Sequence, residues 1–391
     1  MGNILGRAVI HETPDIAQGA VFNSTVTDTL SSGGEQKKID AVPTLHAEAE
    51  KQEDIEQKLH QIDEEFSDFD KSVYEMSDED IEYRTKELVG KLITAINQAQ
   101  DEKYLIEKIR SALPNAYRVH GYSSLVDHLR RYKNRQGHYT SIDILVDKIE
   151  TGISNSEPHH KKIGKIIGGM ALESPLAQQH REKLKIQADA VKEVCEKVKS
   201  PHIIMVASGS ARDLENIQQE LIQSKANVTL IDMYNDALDV AVANLATFSK
   251  CVEDPDENPM TYPVDVESLF RTKSESSKRF RSHVFKQPAD ILVAGGLFDY
   301  FRDVSIRRFL ETISHNESRI KEDGVVLFTN IADVDNPYLV WADVMGHWSL
   351  KSRSEENMKD LQAVLGFSKN SLELDPTGLT WIAKSINSNG K

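Results

Sequence analysis

The chain has 391 residues, 62 acids against 47 lysines and arginines, a net charge of −15 and 39% hydrophobic residues. That length suits two domains and a large core, and the charge disfavours nonspecific adhesion to nucleic acid or an anionic membrane. Mean hydropathy is −0.45 and no apolar run exceeds strand length, so no transmembrane segment is expected; Cys195 and Cys251 lack metal-ligand spacing, which predicts no metal site and a reducing, cytoplasmic compartment.

The start, Met-Gly-Asn-Ile-Leu-Gly-Arg, is close to an N-myristoylation signal, but Gly6 stands where that signal has Ser or Thr, and we read it as coincidence. No secretory leader is visible. Residues 1–44 read as a disordered tail, being rich in Ser, Thr, Gly and Ala through about residue 43 without periodicity. From Glu48 a helix is expected, because Ile55, Leu59, Ile62, Phe66 and Phe69 recur every three or four residues among charged ones. Ser77 to Asp80 is a capping-box pattern opening a second helix with Ile81, Leu88, Leu92, Ile93 and Ile96. A third should run from about Asp101 to Leu113 and stop at Pro114. These segments predict a helical N-terminal domain over residues 45–172; its helices either pack on one another or offer a surface for self-association or a protein partner, and two heptads are too few for a coiled coil.

A second domain is expected over residues 173–391. Ser174-Pro175 reads as the N-cap and first position of a long helix with Leu184, Val191, Val194 and Val198 on one side, covering a sheet edge. Then come an apolar run from His202, the small turn Ala207-Ser208-Gly209-Ser210-Ala211, an amphipathic segment, and a second apolar run ending in Asp232 and Met233. A β-α-β nucleotide-binding unit has this pattern, its turn lying close to the ligand and its acid accepting from ribose hydroxyls. Dinucleotide sites use three glycines to admit a pyrophosphate. A single glycine suits S-adenosylmethionine, which carries no phosphate. The alternative is an ordinary unit in which Gly209 makes the turn and Asp232 caps the next helix.

Beyond Asp232 we expect a helix over 236–245, an irregular polar stretch over 251–263, a short run over 264–269 and a basic helix over 274–281. A strand over 289–295, a helix over 303–316 and a strand over 324–330 follow. Asn336-Pro337 caps a helix through Met345, and Ser354 opens another ending at Gly366. The last two strands, 371–374 and 379–387, flank the turn Asp375-Pro376-Thr377-Gly378. Strands alternating with helices predict a parallel sheet covered by helices. The fold class is therefore α/β, a Rossmann-like sheet of the class I methyltransferase type finished by an antiparallel C-terminal hairpin.

Three segments carry a resemblance: Ala-Ser-Gly-Ser-Ala-Arg-Asp-Leu from Ala207, Ala-Gly-Gly-Leu-Phe-Asp-Tyr-Phe ending at Phe301, and the run from Asn330 to Arg353 with Trp348-x-Leu350-x-x-Arg353. Together they resemble the bacterial methyltransferases that make 3-hydroxypalmitic acid methyl ester, a fatty-acid-derived quorum signal. The resemblance covers roughly the C-terminal 220 residues, with a weaker echo over 135–143. It implies S-adenosylmethionine as cofactor and a fatty-acid-like or other small-molecule acceptor. The chain departs from the pattern at Ala207, where the family has glycine, and at His138 and His347, where it has acids.

Methylating a carboxylate asks for proximity in a dry pocket and no general base. Asp232 would hold the ribose, and the backbone of Ser208, Gly209 and Ser210, beside Ala207 and Met233, the aminoacyl end. Gly295 and Gly296 would let the methyl group approach the acceptor. Arg353 would orient the acceptor's carboxylate or else pair with Glu355 or Glu356 on the surface, and Trp348 would wall the pocket or pack in the core. Asn330, ending a strand, would be functional or cap the next turn. His347 would be a base for an amine or hydroxyl acceptor, or structural. The rival from another class is a degenerate methyltransferase fold serving as a noncatalytic scaffold; a nicotinamide-dependent oxidoreductase is disfavoured by the single-glycine turn.

Overall fold

Apolar residues at helical spacing dictate the first elements of the computed structural model, which describes residues 42–101, 105–135, 138–153, 156–251, 258–266, 278, 282–314 and 319–388. The chain divides into two units, Met1–Ala49 and Glu50–Lys391; the sheet, the site and the bundle from Glu50 onward lie in the second. Nearly all of the expected tail, and the expected basic helix over 274–281 apart from Lys278, lie outside the described residues.

Helix α1 (Val42–Ser72) begins earlier than the periodicity suggested and buries Ile55, Leu59, Phe66 and Phe69. Ser77 caps α2 (Asp78–Asp101): its Oγ accepts from the Asp80 amide at 3.1 Å and donates to the Asp80 carboxylate at 2.6 Å. The expected third helix is two short ones, α3 (Ile106–Ser111) and α4 (Pro114–His120). Pro114 ends the first but also starts the second, since its fixed φ and missing N–H suit a first helical position. Asp63 of α1 accepts from the Asn115 and Ala116 amides at 2.8 and 2.9 Å, completing that cap across the bundle. Next come α5 (Ser124–Arg131), α6 (Tyr139–Asp147), α7 (Pro158–Leu172) and α8 (Pro175–Lys197), the last capped by the Ser174 hydroxyl on the Ala177 amide at 3.2 Å.

The α/β part runs β1 (His202–Val206), α9 (Arg212–Glu215), α10 (Gln218–Ser224), β2 (Asn227–Asp232), α11 (Asn235–Asn244), α12 (Ala246–Ser249), β3 (Met260–Pro263), β4 (Ala289–Ala294), α13 (Asp303–Ser314), β5 (Ile320–Ile331), α14 (Pro337–Gly346), α15 (Glu355–Ala363), β6 (Lys369–Leu374) and β7 (Thr380–Ile386). The seven strands lie in the order β3-β2-β1-β4-β5-β7-β6. The first five are parallel; β7 runs antiparallel between β5 and β6, with Phe328 facing Ala383. β3 lies inside the stretch read as irregular: four residues at the sheet's edge are too few to show periodicity.

Successive strand side chains point to opposite faces, so each face has its own core. Ile203, Met205, Ile291, Val293 and Leu327 pack against Val191 and Val194 of α8, which lies on this face of the sheet and not along its edge. Ile204, Val206, Leu292 and Phe328 meet Phe309 of α13 and Leu361 of α15 on the other. The bundle's core takes in Trp341 and Met345 of α14 and Trp348 just after it. Arg110 and Arg130 donate to the Val344 and Met345 carbonyls at 3.0 and 2.7 Å, satisfying carbonyls at that helix's C-terminal end.

Candidate active site

A cavity of about 220 Å³ opens beyond the carboxyl ends of β1, β2 and β4, where open α/β sheets hold their ligands. All eight residues expected at the cofactor line it: Ala207, Ser208, Gly209, Ser210, Asp232, Met233, Gly295 and Gly296. The turn after β1 is strongly curled, with Ala207, Gly209 and Ala211 all in the left-handed region at φ of 53°, 52° and 55°. That conformation costs nothing at Gly209 but roughly 1–2 kcal/mol at each alanine.

The turn's amides are committed to β2. Ser208 N–H donates to the Ile231 carbonyl at 3.0 Å, and Gly209 N–H to Asp232 Oδ2 at 2.9 Å. Asp232 Oδ1 accepts from the Tyr234 amide at 3.0 Å, so this acid ties the turn to the start of α11. A carboxylate oxygen can accept more than one hydrogen bond. The expectation that backbone amides grip the aminoacyl end is thereby corrected for Ser208 and Gly209; the turn instead offers Ser208 Oγ, which is buried without a hydrogen-bond partner among the described residues. Burial pushes the Asp232 carboxyl above its usual range, and the amides of Tyr234 and Gly209 pull it back.

The four residues expected at the acceptor lie elsewhere. Arg353 is buried and spends its guanidinium on the protein. It donates to the carbonyls of Phe298 (2.8 Å) and Phe301 (2.7 Å), to Asn330 Oδ1, and twice to Asp303 Oδ1 (3.0 and 2.8 Å). Glu355, one of the surface partners considered for it, pairs with Lys359. Asn330 is also buried and bridges the Ile331 and Lys351 carbonyls at 2.9 and 2.8 Å through its amide. Trp348 sits one layer behind the cavity, donating to the Tyr300 hydroxyl at 2.9 Å and stacking on His180 at 5.0 Å with a 16° tilt. His347 terminates α14 in a left-handed conformation, 2.9 Å from the Tyr117 hydroxyl, and lines a separate recess with Arg110, Lys133 and Asp343. The Leu-Phe-Asp-Tyr and Trp-x-Leu-x-x-Arg segments thus occur together because the second fastens the first.

Three other residues of the cavity, His180, Lys183 and Gln187, were not singled out from the sequence. His180, Lys183, Leu184 and Gln187 recur at helical spacing on α8, and all four line it, with Asp213, Asp265, Asp299, Tyr139 and Tyr300 opposite or beside them. Lys183 Nζ lies 3.6 Å from Asp299 Oδ2, while Asp299 Oδ1 accepts from the Ile331 amide at 2.8 Å. Burial drives the carboxyl of Asp213 up to about 7, and holds His180 far below the usual histidine range, helped by Lys183 and Arg181. The two glycines after β4 make room for this stripe, which revises their expected role. A Cβ on Gly295 would lie 2.3 Å from the Gln187 amide, and one on Gly296 2.7 Å from Lys183 Nζ. Reading α8 only for its apolar side hid a polar stripe at the same spacing.

Residues of α6 hold the turn from outside. Ser210 Oγ donates to Asp143 Oδ1 at 2.6 Å, and Arg212 pairs with Asp143 and Asp147. Tyr139 packs against Gly209. The upstream segment over 135–143 places Tyr139 and Ile142 on the lining of the cavity. Its His138 is turned away to Tyr234 and to Asp236, 3.4 Å distant; Gln136 and Gly137 lie outside the described residues.

No family model and no curated protein sequence matches the chain. Among solved structures it is similar to a possible exported protein from Bordetella parapertussis, at 14% identity over 65% of this chain and 80% of that one, TM-score 0.45. It is also similar to an O-methyltransferase family protein from Burkholderia thailandensis, at 12% over 55% and 60%, TM-score 0.39. A third is the magnesium protoporphyrin IX methyltransferase from Synechocystis PCC 6803, at 10% over 55% and 87%, TM-score 0.38. The chain spans less than two thirds of the length of the second. The strand order itself is that of the class I methyltransferases. Among the described residues no group of three His, Cys, Asp or Glu side chains is placed to hold a metal, and no helix is long and apolar enough to cross a membrane.

Proposed function

We propose that the cavity binds S-adenosylmethionine and that the chain transfers its methyl group to the carboxylate of a small, partly apolar molecule. The observation that carries the cofactor is the acidity of the lining: Asp232 and Asp265 stand at the ends of β2 and β3, while the cations are already engaged, Arg212 with α6 and Glu215 and Lys183 facing Asp299. A pyrophosphate would meet repulsion there, whereas a sulfonium cation is favoured. Asp232 at the end of β2 takes the ribose hydroxyls, and Asp265 after β3, beside Val264 and Val266, faces the base. Ile142, Leu184, Leu297 and Phe301 provide apolar wall for an acceptor's hydrocarbon part, consistent with a fatty-acid-like molecule.

The transfer is an in-line displacement. A carboxylate lone pair forms the new O–C bond, the S–C pair returns to sulfur, and both charges vanish with no proton moved. His347, in its separate recess, then has no part to play, and the protein's contribution is orientation and exclusion of water.

Calorimetric titration with S-adenosylmethionine, S-adenosylhomocysteine and NAD tests the cofactor. Both sulfur nucleosides should bind and NAD should not; Asp232→Ala should weaken binding by about 1.5–3 kcal/mol, the scale for hydrogen bonds to a charged group. Unchanged affinity in a folded variant rejects the ribose role. A protein that binds none of the three is a scaffold, and one that prefers NAD overturns the reading.

A further inference from the structure

The α8 stripe has the composition of a binding surface without a ligand. His180 and Gln187 are each 2% exposed, and neither His180 ring nitrogen nor Gln187 Nε2 has a hydrogen-bond partner among the described residues. Buried polar groups in folded proteins are paired, so three orphaned nitrogens on the wall of one cavity point to partners supplied by whatever enters it. Lys183, one turn from His180, is 5% exposed, and its partner Asp299 stands beyond hydrogen-bond length at 3.6 Å, leaving ammonium protons for another acceptor. Tyr300 accepts from Trp348, so its own hydroxyl proton is also available to the cavity.

The inventory is dominated by donors: the Lys183 ammonium, the Gln187 amide, the Tyr300 hydroxyl and one nitrogen of the His180 ring. A group with only acceptors satisfies these four donors, and a carboxylate is the simplest one, leaving only the acceptor nitrogen of the neutral His180 ring to another partner. An alcohol or amine acceptor brings its own donor and would leave part of the set unpaired. The side chains are held in place: Trp348 stacks behind His180, and the absence of side chains at Gly295 and Gly296 lets Gln187 and Lys183 lie against the strand end.

We propose that Lys183 and Gln187, with His180 and Tyr300 beside them, form the subsite for the acceptor's carboxylate, the role the sequence assigned to Arg353. This rests on the cavity being the methyl-transfer site. The other carboxylate that could reach the stripe is the cofactor's own aminoacyl end, so the test must separate the two.

The full-length protein is titrated with acetate, benzoate and octanoate, with octanamide as the uncharged control, in the absence and presence of saturating S-adenosylhomocysteine. The nucleoside's own affinity is measured in parallel. At least one carboxylate should bind and octanamide should not. Lys183→Met should weaken carboxylate binding tenfold or more and leave nucleoside affinity within about twofold. If that variant folds poorly with Asp299 unpaired, the Lys183→Met/Asp299→Asn double variant removes both charges and should show the same loss, and Gln187→Leu a smaller one. Failure of every carboxylate to bind overturns the subsite, as does equal binding of octanamide. Loss of nucleoside affinity in Lys183→Met matching the carboxylate loss assigns the stripe to the cofactor and overturns it too. Carboxylate binding that depends on Lys183 in a protein that ignores the nucleoside keeps the subsite and rejects the methyltransferase reading.

Discussion

Arg353→Met should damage the fold before it damages recognition. The guanidinium satisfies the Phe298 carbonyl and Asn330 Oδ1, both buried, and the half-buried Phe301 carbonyl. Methionine fills much of the volume but donates nothing, and a stranded buried acceptor costs about 1–3 kcal/mol. The ion pair with Asp303 adds little, at most ~1 kcal/mol, because that carboxylate is 56% exposed. Allowing for water reaching Phe301, the loss comes to about 3–5 kcal/mol, the range for breaking a buried charged pair. Urea unfolding followed through the fluorescence of the three tryptophans reads it as a lowered midpoint at unchanged slope. A loss below about 1 kcal/mol, together with weaker carboxylate binding and intact nucleoside binding, would show that the guanidinium faces the acceptor and refute the structural role.

Ala207→Gly releases a left-handed alanine at φ 53°. Net of glycine's own flexibility it should raise stability by up to ~1 kcal/mol without weakening the nucleoside, so a lower melting temperature or poorer titration would show the turn is adapted to the methyl group. Asp213 gives a pH signature. Its folded carboxyl is pushed from 3.8 to about 7 by burial, so between those values the folded state holds a proton that the unfolded state has released. Stability from this group is therefore greatest below ~4 and falls by a few kcal/mol as pH rises towards 7, and Asp213→Asn should flatten that slope; an unchanged slope in the variant contradicts the assignment.

The sheet was legible because β1, β2, β4 and β5 are apolar runs bounded by small or polar turns, and because Asp375-Pro376-Thr377-Gly378 announces its hairpin. The grouping of the turn residues at one end of the cavity was legible for the same reason: a local strand-turn-strand pattern brings Ala207 to Ser210 and Asp232 together within about thirty residues of sequence. The wall formed by α8 was not. His180, Lys183 and Gln187 reach Asp299 and Gly296 only through tertiary packing, and nothing local marks them off from the solvated face of an ordinary helix. Arg353 and Asn330 misled in the opposite way. Their positions at a strand end and after a tryptophan suggest chemistry, yet their polar atoms are consumed in holding the segment from Phe298 to Asp303 against β5. β3 was lost to its brevity, and the split of the third helix turned on reading Pro114 as a stop when it is also a start.

The arginines that close α14 have a consequence for how the chain is made. Arg110 and Arg130 wait for carbonyls 234 and 215 residues further on, and Asn97 for the Pro337 carbonyl 240 residues away. The helices of the bundle, synthesised before α14, are therefore among the last to complete their core. Until Trp341 and Met345 arrive, Leu88, Leu92 and Val126 lack part of their packing partners. Such long-range closure slows folding and leaves an apolar surface open until α14 is in place.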